Sequence, residues 1–335
     1  MTNVTGKRTA LQAVRTAMFA VLPMLAVALS GPAMADSARS QDYFKDALEW
    51  MRKNDARAAL IQLRNAIKED PDNFSARLLL GRLYLESGNT AAARKELELA
   101  HNGAPSDESE VFLGRTLLNL REFQAVLTTV RDSASDVAMA PIKNLIRAEA
   151  LVGLGRADEG LAEVNKVLTK QPGHSQANLV AARIKAAQND IKAAHGYIGA
   201  ALAGNPNYLD AYLMRAQLYY SARDMDRTLV ELDKASKISP DDFRPKLLRA
   251  DTLIRLGRMD EAVEVVQQLQ TANPGDVRAA YLLARIYATQ GKYEEADQQM
   301  RGISEAFRNL PAANLLGGII KFQLEQYAQA EEFLQ

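Results

Sequence analysis

A chain of 335 residues is long enough for one extended array or two ordinary domains, and 47% hydrophobic content excludes a disordered one. The 41 basic and 41 acidic residues balance, and no basic tract speaks for nucleic acid. The absence of cysteine excludes disulfides, thiol nucleophiles, Cys-ligated metals and the lipid-bearing residue of a bacterial lipoprotein.

The chain opens with Lys7, Arg8 and Arg15, an apolar run from Ala17 to Leu29, and the segment Gly31-Pro32-Ala33-Met34-Ala35. A basic start, a short apolar stretch and an A-x-A site predict a secretory signal peptide over residues 1–35, cleaved after Ala35. The other reading, an uncleaved anchor, suffers because the run falls short of the roughly 20 apolar residues of a span and Pro23 interrupts it. Cleavage removes three bases and no acid, which leaves a slightly acidic mature chain from Asp36 with no transmembrane span. The expected location is the bacterial periplasm.

From about Ser40 the chain repeats itself. Pro172, Pro206, Pro240 and Pro274 stand 34 residues apart, as do Pro71 and Pro105. Repeats are expected to begin near Ser40, Phe74, Asp107, Pro141, Ser175, Leu209, Phe243, Val277 and Pro311. The eighth position is always small (Ala47, Gly81, Gly114, Ala148, Ala182, Ala216, Ala250, Ala284, Gly318), which lets a second helix approach the first. Position 24 is always large, from Leu63 and Leu97 to Met300 and Leu334. Gly88, Gly155, Gly257 and Gly291, or Asn54 and Asn189, mark the turn inside each pair, and proline closes most second helices. A fixed period of this kind predicts an all-α solenoid of antiparallel helix pairs, each completing its apolar face against its neighbours.

The third repeat departs furthest. Arg121 stands where the turn glycine belongs, Val126 replaces alanine, and no proline ends the repeat. Gly81 and Gly114 are 33 apart whereas Gly114 and Ala148 are 34, so one residue is missing near Pro105–Ser109. Gln335 falls inside the second helix of a ninth repeat with no polar terminal cap in view, which predicts that the natural chain continues or that this end associates.

Small-8, aromatic-or-Leu-11 (Trp50, Tyr84, Tyr219, Tyr287), Ala-20, large-24, Ala-27 (Ala66, Ala100, Ala201, Ala235) and a closing proline resemble the tetratricopeptide repeat. The resemblance implies a right-handed solenoid with about eight full repeats and a partial ninth over residues 36–335. The stretch ALIQLRNAIKEDPDNFSARLLLGRLYLESGNTAAARKELELA is similar, more narrowly, to the opening of long repeat proteins encoded with bacterial PEP-CTERM/exosortase exopolysaccharide systems. Those proteins usually carry a lipoprotein signal, which this chain lacks.

No catalytic, cofactor-binding or metal-binding residue is expected. His101, His174 and His195 lie too far apart to share a metal and read as solvated surface residues, and HExxH, GxSxG and Gly-rich phosphate loops are absent. The adjacent carboxylates Asp241-Asp242, Glu294-Glu295 and Glu331-Glu332 diverge by about 100° on a helix and cannot act on one substrate together. By the family resemblance, the first helix of each pair lines an inner groove through positions 2, 5, 9, 12 and 13. Position 9 holds Arg82, Arg115, Glu149, Arg183, Gln217, Asp251 and Arg285, and Tyr220 adds an aromatic surface. Either the arginines meet a carboxylate-bearing ligand, or each pairs with a nearby acid such as Glu86. The Lys-5/Asn-9 clamp for acidic chaperone tails is absent, since those places hold Phe44 and Leu48, then Leu78 and Arg82. The expected function is a non-enzymatic scaffold holding a protein partner in its groove, in exopolysaccharide assembly or export or in PEP-CTERM protein sorting. The rivals are direct binding of acidic polysaccharide and the repeat region of a longer enzyme.

Overall fold

The computed structural model describes residues 31–301 and 310–334, and among these it contains eighteen α-helices and no strand. Residues 1–30 of the signal peptide expected over residues 1–35 lie outside the described residues, as does Gln335. The helices are α1 (Gly31–Arg52), α2 (Ala56–Glu69), α3 (Phe74–Glu86), α4 (Thr90–Gly103), α5 (Asp107–Asn119), α6 (Phe123–Thr129), α7 (Ala140–Gly153), α8 (Ala157–Lys170) and α9 (Ser175–Ala187). There follow α10 (Ile191–Gly204), α11 (Leu209–Ser221), α12 (Met225–Ile238), α13 (Phe243–Arg255), α14 (Met259–Ala272), α15 (Val277–Thr289), α16 (Tyr293–Arg301), α17 (Pro311–Gln323) and α18 (Tyr327–Leu334). Odd-numbered helices open pairs and even-numbered helices close them. The first starts earlier than the Ser40 expected from the period, and residues 31–35, where cleavage is expected, belong to its first turns.

The turn inside each pair is the same nine times. Asn54, Gly88, Arg121, Gly155, Asn189, Arg223, Gly257, Gly291 and Glu325 all have φ between 60° and 78°. At each, two backbone hydrogen bonds reach back into the last helical turn; at α9 they run from Asn189 N–H to Ala186 C=O and from Asp190 N–H to Lys185 C=O. This pair of bonds is the Schellman arrangement, and it requires a left-handed residue. Glycine adopts it freely, whereas arginine or glutamate pays for its Cβ. Arg121→Gly and Arg223→Gly are therefore each expected to raise the unfolding free energy by about 0.5–1 kcal/mol in urea titrations. The opposite sign would place the cost of these turns elsewhere.

Helix starts are capped as locally. Asp55, Asn89, Asp190 and Asp224 accept a hydrogen bond from the third N–H beyond them at second helices, and Asn73 does so at a first helix. The prolines Pro71, Pro105, Pro172, Pro206, Pro240 and Pro274 all lie in the links between pairs. Those links have four residues, except the three of residues 104–106, which is where one residue is missing.

The contacts divide the chain into two units, Met1–Lys166 and Val167–Gln335. In the first, Ala47, Ala59, Leu63, Ala66, Ala76 and Leu80 form one buried cluster, and Leu97, Val111, Leu113, Val126, Val130 and Ile146 another. In the second, Ala250, Leu253, Ala262, Val266, Ala279 and Leu283 join α13, α14 and α15, and Leu179, Ala182, Ile198, Ala201 and Ala211 join α9, α10 and α11. Small position 8 faces large position 24 in each: a Cβ added to Gly114 would stand 2.5 Å from Val130, and one added to Gly81 would stand 2.5 Å from Leu97. Full burial of each position-24 side chain contributes about 2 kcal/mol.

The third pair is built differently. Its second helix, α6, has seven residues against the fourteen of α2, α4, α8, α10, α12 and α14. The chain then runs without helix to Met139 and is held by buried charge. Lys143 Nζ lies 2.7 Å from both Asp107 Oδ1 and Glu110 Oε2, all three side chains being buried, and also donates to the Ser133 carbonyl. Asp107 accepts from the Asp136 N–H, and Glu110 accepts from both the N–H and the guanidinium of Arg131. The Lys143 hydrogen bond, followed by that from Asp136, holds the Asp107 carboxyl below its ordinary range. For Glu110, burial pushes upward, and the bonds from Lys143 and Arg131 outweigh it.

The histidines are structural, which corrects the reading of them as solvated surface groups. His101 Nδ1 lies 2.8 Å from Ser109 Oγ, across the short link. His174 accepts from Ala177 N–H at the start of α9. His195 packs on the Tyr219 ring at 4.9 Å, and burial followed by the positive charges of Arg215 and Arg227 pushes its pKa down. His174 and His101 act locally, at a helix start and across the adjoining link, whereas His195 joins two helix pairs.

Candidate partner-binding face

In the second unit the first helices α9, α11 and α13 bring residues of their second, fifth, sixth and ninth positions side by side. In the second unit Arg183 of α9, Asp210, Leu213, Met214 and Gln217 of α11, and Arg244 and Leu248 of α13 line one cavity of about 350 Å³. Leu213, Met214 and Leu248 make a half-buried apolar surface, while the Gln217 amide and the Arg183 guanidinium are exposed beside it. Arg244 is locked between Asp210, at 2.8 Å, and Asp242, at 2.7 Å, so it shapes the wall instead of offering a free charge. These bonds, first that to Asp242, also raise its pKa.

The other expected site residues of this unit meet further along. Arg285 donates to Asp251, and Arg255 approaches the same carboxylate at 3.6 Å. The Arg255 guanidinium lies over the Tyr220 ring, 4.5 Å from its centroid. Tyr220, Asp251 and Arg285 are thus joined through Arg255, a residue at position 13 that inspection of position 9 passes over. One carboxylate between two guanidinium groups leaves the cluster with a net positive charge.

In the first unit Arg82 donates to Glu86 at 2.8 Å and lies over Phe112 at 5.4 Å. Arg115 is exposed, and Glu149 is half-buried and engaged by its surroundings, as Arg183 is in the second unit. Of the two readings of the arginines, pairing with a nearby acid thus describes Arg82 and Arg285. The adjacent carboxylates take ordinary places, Asp242 capping α13 and Glu294-Glu295 opening α16. Among the described residues no group of three metal-ligating side chains comes together, and no helix is long and apolar enough to cross a membrane.

The arrangement can hold an extended segment: an apolar surface for side chains, an amide able to donate and accept beside it, and charged walls already paired. Helical hairpins of constant period, with a small residue facing a large one and a Schellman turn in each, define a helical-repeat protein. The chain belongs to the tetratricopeptide repeat family, whose profile matches residues 51–118, 221–286 and 253–320. Residues 137–223 match a second profile, the second ARM domain of tetratricopeptide repeat protein 21.

One solved structure agrees on the fold, and others are similar to parts of the chain. A tetratricopeptide repeat protein from Parabacteroides merdae is 16% identical, with a TM-score of 0.50 over 84% of this chain and 99% of that one. PilF of Pseudomonas aeruginosa is 13% identical, with a TM-score of 0.48 over 65% of this chain and 99% of that one. YrrB, described as having an unusual peptide-binding site, is 20% identical, with a TM-score of 0.44 over 50% of this chain and 88% of that one. No curated protein sequence matches this chain.

Proposed function

We propose that the protein is a non-catalytic scaffold of the bacterial periplasm that holds an extended segment of a protein partner on the inner face of its first helices. The observation that carries this reading is the cavity of Arg183, Leu213, Met214, Gln217 and Leu248, an apolar surface with an exposed amide and guanidinium at its edge. Leu and Met accept varied side chains, and a glutamine amide pairs with a peptide backbone in either register. The periplasmic location rests on the basic start, apolar run and A-x-A site at the N-terminus. The similarity of residues 59–100 to repeat proteins of PEP-CTERM/exosortase systems supports a narrower role, in exopolysaccharide assembly or export or in sorting PEP-CTERM proteins. Acidic polysaccharide is less well served, because Arg82, Arg244 and Arg285 already bond carboxylates.

The test is capture from periplasmic extract, with the wild type and Leu213→Asp/Leu248→Asp compared side by side. The wild type is expected to enrich a protein that the variant loses by at least about tenfold, with Arg183→Glu intermediate. Equal enrichment by both would remove this face from the interaction. Acidic polysaccharide held by the wild type and released by salt would favour the glycan reading instead.

A further inference from the structure

The inner face of the second unit runs on past its cavity. Leu213, Gln217 and Tyr220 lie on one stripe of α11, and Arg244, Leu248, Asp251 and Arg255 on one stripe of α13, because residues at such spacings share a helix face. The two stripes lead from the cavity wall to a second place, where Tyr220, Asp251 and Arg255 meet Arg285 of α15.

That place holds a charge that its own members do not cancel. Arg285 donates to Asp251 and lies over the Tyr281 ring at 5.9 Å. Arg255 approaches the same carboxylate only at 3.6 Å, too far for a hydrogen bond, and its side chain is 50% exposed. Two guanidinium groups against one carboxylate leave one positive charge, and the exposed Arg255 presents it. The Tyr220 ring, 4.5 Å from that guanidinium, holds the group in place, so little freedom is lost when an acceptor meets its N–H edge. At position 13 the other first helices of this unit carry no charge, the residues being Ala187, Ser221, Thr289 and Gln323.

We infer, on the reading that an extended segment lies in the cavity, that Arg255, mounted on Tyr220 and backed by Arg285, binds a carboxylate of that same segment. Leu248 and Arg255 are seven residues apart on α13. That is about 10 Å along the helix, which an extended chain covers in about three residues. The partner segment therefore carries an apolar side chain and, about three residues away, an acidic side chain or its own terminal carboxylate. The guanidinium fork suits either source.

Panning a random twelve-residue peptide library with free C-termini on the purified protein tests this. The wild type is expected to select an apolar residue with Asp, Glu or the chain end about three positions away. One selected peptide is then measured by fluorescence anisotropy. Exchanging its acid for the amide, or amidating its C-terminus, identifies the carboxylate. Loss of that carboxylate is expected to weaken binding to the wild type about tenfold, in a salt-dependent way, and to leave binding to Arg255→Met unchanged. Arg255→Met is expected to keep the wild-type Tm, because the side chain is half exposed. Selected peptides without a preferred carboxylate overturn the inference and leave the cavity reading standing, as does a carboxylate that matters equally to Arg255→Met. Peptides bound equally by Leu213→Asp/Leu248→Asp overturn the cavity reading as well. No selected peptide, with alginate retained by the wild type, overturns both in favour of a glycan.

Discussion

Lys143→Ala is expected to remove about 3–5 kcal/mol of stability, the largest loss of any single charge deletion in the first unit. The ammonium group lies between Asp107 and Glu110 in a place closed to solvent. Removing it leaves two carboxylates facing each other without their shared counter-ion, and frees the Ser133 carbonyl that anchors the chain after α6. Lys143→Met keeps most of the volume and should lose nearly as much, which separates charge from packing. Lys143→Met combined with Asp107→Asn and Glu110→Gln should recover most of the loss, because a buried ion cluster replaced whole is often neutral. Urea titrations of the three proteins decide it, and a triple variant as unstable as Lys143→Ala would show that the cluster acts through something other than charge.

The pH dependence has a definite sign. Asp107 and Glu110 have folded pKa values below their unfolded ones, so their contribution is complete above about pH 5 and is lost as pH falls through the folded values. The wild type should therefore lose thermal stability as the pH falls below about 5. Lys143→Ala should show its largest deficit at neutral pH and a smaller one in acid, where the orphaned carboxylates take up protons.

In α10 one substitution is expected to act with opposite signs at different positions. A Cβ added to Gly204 would stand 2.0 Å from the Gly173 carbonyl oxygen, which is backbone and cannot rotate away. Gly204→Ala must push the end of α10 from the link before α9, and should cost about 3 kcal/mol. A Cβ added to Gly196 or Gly199 meets nothing within 4 Å. Alanine there supplies helix propensity without a clash, and each change should add about 0.5–1 kcal/mol. Chemical denaturation of the three single variants checks both signs. A neutral Gly204→Ala would mean that α10 ends loosely against the link.

Most of the fold was legible because the repeat restates each local rule many times. One alanine facing one leucine means little, but Ala47 with Leu63, Ala250 with Val266 and Ala284 with Met300 state a packing rule. The turn was legible at Gly88 and Asn189 and illegible at Arg223 and Glu325, which adopt the same left-handed conformation against their own preference. There the two helices, packed on either side, dictate the turn. The candidate face was legible only as a column of positions. Position 9 identified Arg183 and Gln217 and position 5 points to Leu213, yet the apolar surface between them is completed by Met214 and Leu248 at position 6, outside the expected groove positions. Lys143 carried a usable signal, since Ala76, Ala177, Ala211 and Ala279 hold the same slot in other repeats and a lysine among alanines requires a counter-charge.

By itself the sequence determined the helix pairs, their period, the small-against-large register and the shortened link at residues 104–106. Each of these depends on interactions within some 34 residues, and every repeat records them again. Only the tertiary structure decided which charges are spent and which are available. Arg285 meets Asp251 from the preceding repeat, Arg255 meets Tyr220, and Lys143 meets Asp107 from a repeat earlier. Such partners are chosen by the way one pair stacks on the next. The charges brought together differ from one interface to the next.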